Sequence, residues 1–307
     1  MLTIMKVINL IGFARYMYFG LSFIILLFNL SACSVSIPEN DLEKENLKGK
    51  VKSVKSEYYY ATEKFGEAVK VGKVKPKILY GHAFYNSYQE KYEIFDRNGF
   101  LSEKYSYDTL GKIKSRMIVK RTDHPKVYEN STYSYDDGVE SLSTVGTSVY
   151  DALNNTQIET SIIFGDTIWV DIYKFDKGRK IEHNNYSKDG SRNWKSTYEY
   201  KNSGRLIVEN SHDEFEDIRI KTSLDKSGNP ILIESSDFFG EFKSKKKYEY
   251  NEYGDVISFK SYRKDGHVKS HDTFSYVYDN TGNWIQKTEN NDGKPVYITE
   301  RKFEYYE

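Results

Sequence analysis

The residue of this chain with the most distinctive chemistry is its single cysteine, Cys33. An apolar run at residues 17–28 precedes it, and residues 1–32 contain the basic Lys6 and Arg15 but no acidic residue. A basic start, an apolar centre and small residues at the end are the three parts of a secretory signal peptide. An exported chain with one cysteine cannot form an internal disulfide, so the Cys33 thiol needs another purpose, such as covalent modification.

Two other interpretations of the apolar run stay open. A retained transmembrane helix needs about 20 apolar residues, whereas Asn29 and Ser31 end this run early. A buried cysteine in a core helix would need an amphipathic period that continues past Ser31, and the sequence has none. The signal peptide therefore accounts best for the first 32 residues.

Residues 30–33 (Leu-Ser-Ala-Cys) resemble the lipobox of bacterial lipoproteins. The resemblance implies that the Cys33 thiol receives a diacylglycerol, that the chain is cut before Cys33, and that the new amino group is acylated. Several acyl chains of the palmitate type would hold the protein stably in a membrane. Ser34 stands where lipoproteins kept at the inner membrane often carry Asp, which favours the outer membrane and leaves the face open.

The resemblance and the composition divide the chain into three parts: a lipoprotein signal peptide at 1–32, a polar tether at 33–50 and a repeat domain at 51–307. The tether is free of aromatic residues, and Asn40 or Asp41 could cap one helical turn within it. Ordered structure is expected to start at Val51.

The charge balance limits the partners of the protein. The chain has 45 basic and 45 acidic residues. Residues 1–32 contain two of the basic residues and none of the acidic ones, so the remainder of the chain carries a formal charge of −2. A dedicated nucleic-acid binder shows a strong basic excess. We therefore expect no nucleic-acid partner, whereas a membrane is expected as a partner through Cys33.

The other side chains give little support for catalysis. The sequence has no Gly-x-Ser-x-Gly, His-Glu-x-x-His or P-loop pattern. Among six scattered histidines, His267 and His271 could share a strand face near Asp272 and hold a metal, but the turn at Gly266 makes solvated surface residues the better interpretation. We expect a protein that is not an enzyme and that holds neither a metal nor a cofactor.

One phrase recurs through the body of the chain: Tyr-x-Tyr, then Asp or Asn, then Gly three residues later. Its main copies begin at Tyr105, Tyr198, Tyr248 and Tyr276. Alternating tyrosines place both rings on one face of a strand. Asp or Asn before Gly is turn chemistry, because the short side chain bonds the backbone ahead of it and Gly accepts a positive φ. Each phrase therefore predicts a β-hairpin, with positive φ at Gly254 and Gly282.

A calcium loop is the functional alternative at residues 279–283, but the loop lacks the dense oxygen ligands that calcium needs. From Gly178 to Gly293 the turn glycines follow one another mostly at 11–16 residues, and the long step after Gly204 predicts a glycine-free turn near residues 212–214. Residues 139–170 are the least regular part, with a loop expected at 151–155. The predicted fold is all-β: an antiparallel meander of repeated β-hairpins that forms an extended or curled sheet.

Over roughly residues 90–307 the phrase resembles the YD repeat of the RHS family and, in part, the MORN-like repeats of an antitoxin family. The period and the Tyr-Asp-x-x-Gly core match, although single copies are degenerate. Large RHS proteins wind many repeats into a shell around a toxin, whereas this sequence has about ten turns. The resemblance is greatest to the small YD-repeat lipoproteins of Gram-negative bacteria.

The aromatic stripes are the recognition feature that the sequence offers. Five of these residues could form a stacking platform for sugar rings: Tyr248, Tyr250, Tyr276, Tyr278 and Trp284. The competing interpretation is that the rings pack across strands and hold the sheet together, with each pair contributing about 0.2–1 kcal/mol. Repetition favours the packing interpretation, because a core position recurs in every repeat and a binding site need not.

Two short sequences suggest a further modification. Residues 108–110 (Asp-Thr-Leu) and 166–168 (Asp-Thr-Ile) resemble the Asp-Ser/Thr-apolar acceptor of O-glycosylation in some Gram-negative bacteria. Thr109 and Thr167 are the acceptor candidates. Matches of three residues also arise by chance, so the unmodified alternative stays open.

The sequence thus predicts a lipid-anchored protein of the cell envelope, most consistent with the outer membrane, whose sheet is a scaffold or binding surface without catalysis. One alternative is a glycan-binding accessory lipoprotein that uses exposed Tyr and Trp. A second is an immunity or antitoxin-like protein, which rests on repeat resemblance alone. A glycan or another envelope protein is the expected type of partner.

Overall fold

The computed structural model describes residues 40–74, 90–108, 110–122, 127–163 and 166–307. These residues form nineteen β-strands, one short helix, α1 (Asp41–Lys44), and a 3-10 turn at Asn202–Gly204. The strands are β1 (Val51–Lys64), β2 (Glu67–Lys73), β3 (Lys91–Phe95), β4 (Leu101–Tyr107), β5 (Ile113–Arg121), β6 (Tyr128–Asp136), β7 (Val139–Asp151), β8 (Thr156–Ile163), β9 (Asp166–Asp176), β10 (Arg179–Ser187), β11 (Arg192–Lys201), β12 (Leu206–Asp213), β13 (Asp217–Leu224), β14 (Pro230–Asp237), β15 (Phe242–Tyr250), β16 (Val256–Tyr262), β17 (Val268–Tyr278), β18 (Trp284–Asn291) and β19 (Lys294–Tyr305).

The strands form one antiparallel meander that closes on itself. From β3 to β19 every strand pairs with the next one along the chain. β1 then pairs with both β3 and β19, so that Val54 lies opposite Glu93 on one side and Phe303 on the other. The predicted all-β antiparallel meander is confirmed, and the sheet is a closed barrel of eighteen strands, with β2 paired to the far half of β1.

The hairpin turns use the predicted chemistry. In the β17–β18 turn, Asp279 Oδ1 accepts hydrogen bonds from the backbone N–H groups of Thr281 and Asn283, and Gly282 has a φ of +90°. In the β15–β16 turn, Asn251 Oδ1 accepts the equivalent two hydrogen bonds, from the backbone N–H groups of Tyr253 and Asp255, and Gly254 has a φ of +84°. The positive φ at both glycines is therefore confirmed, and local side-chain chemistry fixes the turns.

The expected irregularities are partly present. A turn without glycine separates β12 from β13 at residues 214–216, as the long glycine step predicts. Residues 152–155 form the expected loop between β7 and β8. Outside that loop, the described part of residues 139–170 forms the strands β7 and β8 and the start of β9, which corrects the expected irregularity. The many Ser and Thr side chains of the 13-residue β7 hide its alternation in the sequence.

Residues 40–50, which we call the N-terminal segment, pack onto one edge of the barrel. We call this edge the N-terminal rim; it carries the β3–β4, β13–β14, β15–β16 and β17–β18 turns. Asn40 caps α1, since its side chain accepts a hydrogen bond from Glu43 N. The expectation that order begins at Val51 is corrected here, because Leu42 and Leu47 are buried. The part of the predicted tether from 33 to 39 lies outside the described residues.

The apolar core is small and lies under the N-terminal segment. It consists of Leu42, Leu47, Val51, Val54 and Phe95, against which Leu101, Phe303 and Tyr305 pack. Val208 and Ile298 are the other two buried apolar side chains among the described residues. Seven are few for a chain of this length, so cross-strand contacts and hydrogen bonds between neighbouring strands carry most of the barrel's cohesion. In the described ranges no helix has the length and apolar character needed to cross a membrane.

Candidate ligand groove and aromatic cluster

A groove of about 1110 Å³ opens between the N-terminal segment and the β13–β14 and β15–β16 turns. Its lining combines Glu43, Lys44 and Lys48 of the segment with Tyr248, Tyr250 and Tyr253 of the barrel. The Asn46 side chain fixes the segment beside the groove, since its amide donates hydrogen bonds to Tyr253 O at 3.0 Å and to Asp255 Oδ1 at 3.2 Å. The groove therefore presents aromatic rings among charged and amide groups.

The five aromatic residues of the predicted platform fall into two groups. Tyr248 and Tyr250 line the groove, and the Tyr248 ring packs against Phe259 at 5.2 Å between centroids. The other three form a ring cluster in which Tyr276 lies 5.9 Å from Tyr278 and 6.0 Å from Trp284.

Tyr253 joins the two groups, because it lines the groove and stacks on Tyr278 at 4.2 Å. Sequence reasoning missed Tyr253. Its position inside a turn, two residues after Asn251 and directly before Gly254, was the available signal.

The hydroxyls of Tyr250, Tyr276 and Tyr278 bond to the barrel itself. Tyr250 donates to Pro230 O at 2.8 Å, and Tyr276 donates to Val256 O at 2.6 Å. Tyr278 donates to Asp255 Oδ2 at 2.8 Å, and burial together with this bond raises the pKa of Tyr278 to about 12. These bonds fix the ring orientations, which is consistent with the packing interpretation of the aromatic stripes.

Trp284 has a cation on its ring face. The Arg301 guanidinium carbon lies 3.6 Å from the ring centroid. Such a cation–π contact is worth about 0.5–2 kcal/mol, depending on how far it is desolvated. A sugar ring could stack on that face of Trp284 only after Arg301 moves away.

The remaining candidates are separate from the groove. His271 contacts Ser258 Oγ through Nε2 at 3.2 Å, whereas His267 is an exposed residue of the β16–β17 turn. Within the part of the chain that the structure describes, no three His, Cys, Asp or Glu side chains are grouped as metal ligands. Both Asp279 carboxylate oxygens of the alternative calcium loop accept protein hydrogen bonds, from Thr281 N, Asn283 N and the Tyr305 hydroxyl.

The modification candidates are placed only in part. Thr167 is a partly buried residue of β9 and lies opposite Ile162 of β8. Cys33 and Thr109 lie outside the described residues. Lipidation and O-glycosylation therefore stay predictions.

No family model matches the sequence, and neither does any curated protein. Among solved structures, a porin-like protein from Bacteroides uniformis aligns at 12% identity and a TM-score of 0.34, over 84% of this chain and 98% of that one. The Photorhabdus luminescens Tc holotoxin pore and a TcdB2–TccC3 structure align at 11% and 14% identity, with TM-scores of 0.26 and 0.27, over 69% of this chain. This chain spans less than a fifth of each of those two toxin chains. We draw no functional conclusion from similarity at this level.

Proposed function

We propose that the protein is a lipid-anchored component of the bacterial cell envelope whose barrel is a non-catalytic scaffold or binding surface. The docking of the N-terminal segment supports this proposal most directly. Asn40 is held at the rim, where its amide donates to Asn98 O at 3.1 Å. It lies seven positions after Cys33, and seven extended residues span at most about 25 Å. An acylated Cys33 would therefore hold the N-terminal rim close to a bilayer.

The outer membrane is the proposed location, on the resemblance carried by residues 30–34. In this arrangement the N-terminal rim faces the lipid and the opposite rim points away from it. The opposite rim is then the end of the barrel that is open to another envelope protein, which is the partner we propose for this arrangement.

The anchor is tested by Cys33→Ser in the native host. We expect the variant to lack acyl chains in an intact-mass measurement and to leave the membrane fraction. Ser36→Ala, three positions further along, should remain lipidated and membrane-bound. If Cys33→Ser stays in the membrane with its N-terminus uncut, the apolar run is a transmembrane anchor and the proposal fails.

A glycan-binding role is the second candidate, and the groove favours it. Carbohydrate sites combine aromatic rings with polar groups, and the groove offers Tyr248 and Tyr253 beside Asp225, Asn229 and Lys247. Tyr253 is 41% exposed, so part of its ring is open to a ligand.

This second role is tested by binding of the purified barrel to envelope polysaccharides from the native host. Tyr253→Ala should weaken binding at least fivefold if a sugar stacks in the groove. Tyr135→Ala serves as the control, because Tyr135 lies on β6 outside the groove and bonds Glu140. Equal affinity of the two variants would contradict the groove as a glycan site.

An immunity or antitoxin-like role rests on the repeat resemblance alone. Co-expression with any toxin encoded beside this gene would test it, and survival of the host only when this protein is present would favour it. The proposed O-glycosylation of Thr109 or Thr167 is tested by intact mass from the native host, where the absence of hexose-type increments would remove it.

A further inference from the structure

Two cations on one face of the barrel wall lack an acidic partner. Arg301 and Thr299 are two residues apart on β19 and share a face, and Lys287 of β18 lies directly opposite Thr299. Among the described residues, no carboxylate oxygen lies within ion-pair distance of Lys287 or Arg301. Lys104 of β4, in contrast, contacts Glu93 at 3.0 Å.

The same place contains polar atoms without partners. Within the described part of the chain, Arg301 Nε and Thr299 Oγ1 are buried and make no hydrogen bond. Burial has the largest influence on the pKa of Lys287 and lowers it; the charge of Glu289 raises this pKa, the charge of Arg301 lowers it, and the charge of Asp255 raises it. Unpaired buried charges and unsatisfied donors both cost free energy. A bound anion would remove both costs together.

Aromatic rings surround these cations and shape the space. Arg301 lies over Trp284, and Lys287 Nζ lies 5.8 Å from the Trp284 centroid and 5.5 Å from that of Phe274. Tyr276 is the register neighbour of Lys287. Trp284, Lys287 and Arg301 each keep part of their surface exposed, so a small ligand can reach them.

We propose that Lys287, Thr299 and Arg301, with Trp284 beside them, form a site for an oxyanion, a carboxylate or phosphate group. The guanidinium and the ammonium supply charge-assisted donors, and the Thr299 hydroxyl supplies a neutral one. The oxyanion could be carried by an acidic sugar or be free phosphate. This site does not depend on the lipid anchor and is separate from the groove.

Trp284 provides the readout, since it is one of only three tryptophans in the chain. The purified protein is titrated with sodium phosphate, sodium glucuronate and glucose, each against sodium chloride at equal ionic strength, while tryptophan emission is recorded. We expect saturable changes with phosphate or glucuronate and none with glucose. Tighter binding of glucuronate would indicate an acidic sugar as the source, and tighter binding of phosphate would indicate the free ion.

Variants separate a site from a structural role. Arg301→Gln should weaken the anion response at least tenfold. Lys287→Met replaces an unpaired buried cation by an apolar chain of similar length, so it should fold and still weaken the response. Arg116→Gln is the matched control, because Arg116 is already paired with Glu103 at 3.0 Å. Absence of a saturable wild-type response, or an unchanged response in Arg301→Gln and Lys287→Met, overturns the proposal.

Discussion

Single residues of the turns control the geometry of the barrel edge. Asn283 shows how: it is 2% exposed and its side chain bonds both backbone groups of Lys48, accepting from N and donating to O at 2.8 Å each. It also donates to the Tyr305 hydroxyl at 2.9 Å. One turn residue thereby connects the β17–β18 hairpin, the N-terminal segment and the last strand.

The first prediction concerns Gly282. A Cβ added there would meet Lys48 Cγ and Tyr253 Cδ1 at 3.9 Å, which is ordinary contact, so the cost of Gly282→Ala comes from the φ of +90°. We expect a loss of about 1–2 kcal/mol in the free energy of unfolding, measured by urea denaturation. Asn280→Ala, at an exposed position of the same turn, should change stability by less than about 0.5 kcal/mol. Equal losses from both variants would contradict the left-handed turn.

Strand pairs are the elements that hold this barrel, and ionic contacts link several strands at once. Glu182 of β10 contacts Lys174 of β9 at 2.9 Å and Lys195 of β11 at 2.8 Å, and Asn184 donates to it at 2.8 Å. Burial alone would raise the pKa of Glu182, but the hydrogen bonds from Lys195, Lys174 and Asn184 outweigh burial and lower it to about 2. The charged form of Glu182 is therefore favoured in the folded barrel.

The second prediction is a pH dependence. Because the folded pKa of Glu182 is below its unfolded value of 4.5, its contribution to stability is present above about pH 4.5 and is lost as the pH falls toward 2. We expect Glu182→Gln to cost about 1–2 kcal/mol at pH 7 after allowance for solvent screening. The difference from wild type should shrink between pH 4.5 and 2.5 in thermal unfolding. The exposed turn variant Glu252→Gln is the control, and a difference that stays constant with pH would contradict the assignment.

Local chemistry explains which features the sequence could predict. The Asp279 turn forms bonds within four residues, so its pattern is visible in the sequence. The docking of the N-terminal segment is not, because Asn46 and Lys48 find partners more than 200 positions away, at Tyr253 and Asn283.

The aromatic site illustrates the same limit. Alternation suggested five residues on one platform, and each Tyr-x-Tyr pair does stay together, but β16 lies between β15, which carries Tyr248 and Tyr250, and β17, which carries Tyr276 and Tyr278. The rings therefore separate into two groups. The contact of Arg301 with the Trp284 ring connects β19 to β18, and the residue pattern of a single strand cannot predict such a contact.

At the scale of the whole molecule, the barrel depends on the N-terminal segment as well as on its strands. Leu42 is 7% exposed and packs in the only apolar core cluster of the described residues, while Arg121 of β5 bonds Asp41 at 2.9 Å. The segment therefore connects strands on both sides of β1. This contact explains why residues 40–50 are ordered although their composition is polar.

The third prediction tests that connection. Leu42→Ala should lower the free energy of unfolding by about 2–4 kcal/mol, since it empties part of a small core. Amide hydrogen exchange should rise first in the β3–β4 and β17–β18 turns, which the segment contacts. Leu153→Ala is the control, because Leu153 is 95% exposed. Wild-type stability in Leu42→Ala would show that the segment does not support the rim.

The pairing of β1 with β19 also has a consequence for the order of events during biosynthesis. The partners Val51 and Tyr305 lie near opposite ends of the described chain. At about 5–20 residues per second, a ribosome needs about 15–60 s to make a chain of this length. For most of that time, from the synthesis of β1 until that of β19, one edge of β1 lacks its final neighbour, and an unpaired strand edge is a template for aggregation. We therefore expect ring closure to be the last and slowest folding event, and a chaperone that shields β1 to raise the yield of folded protein more than one that binds a central hairpin.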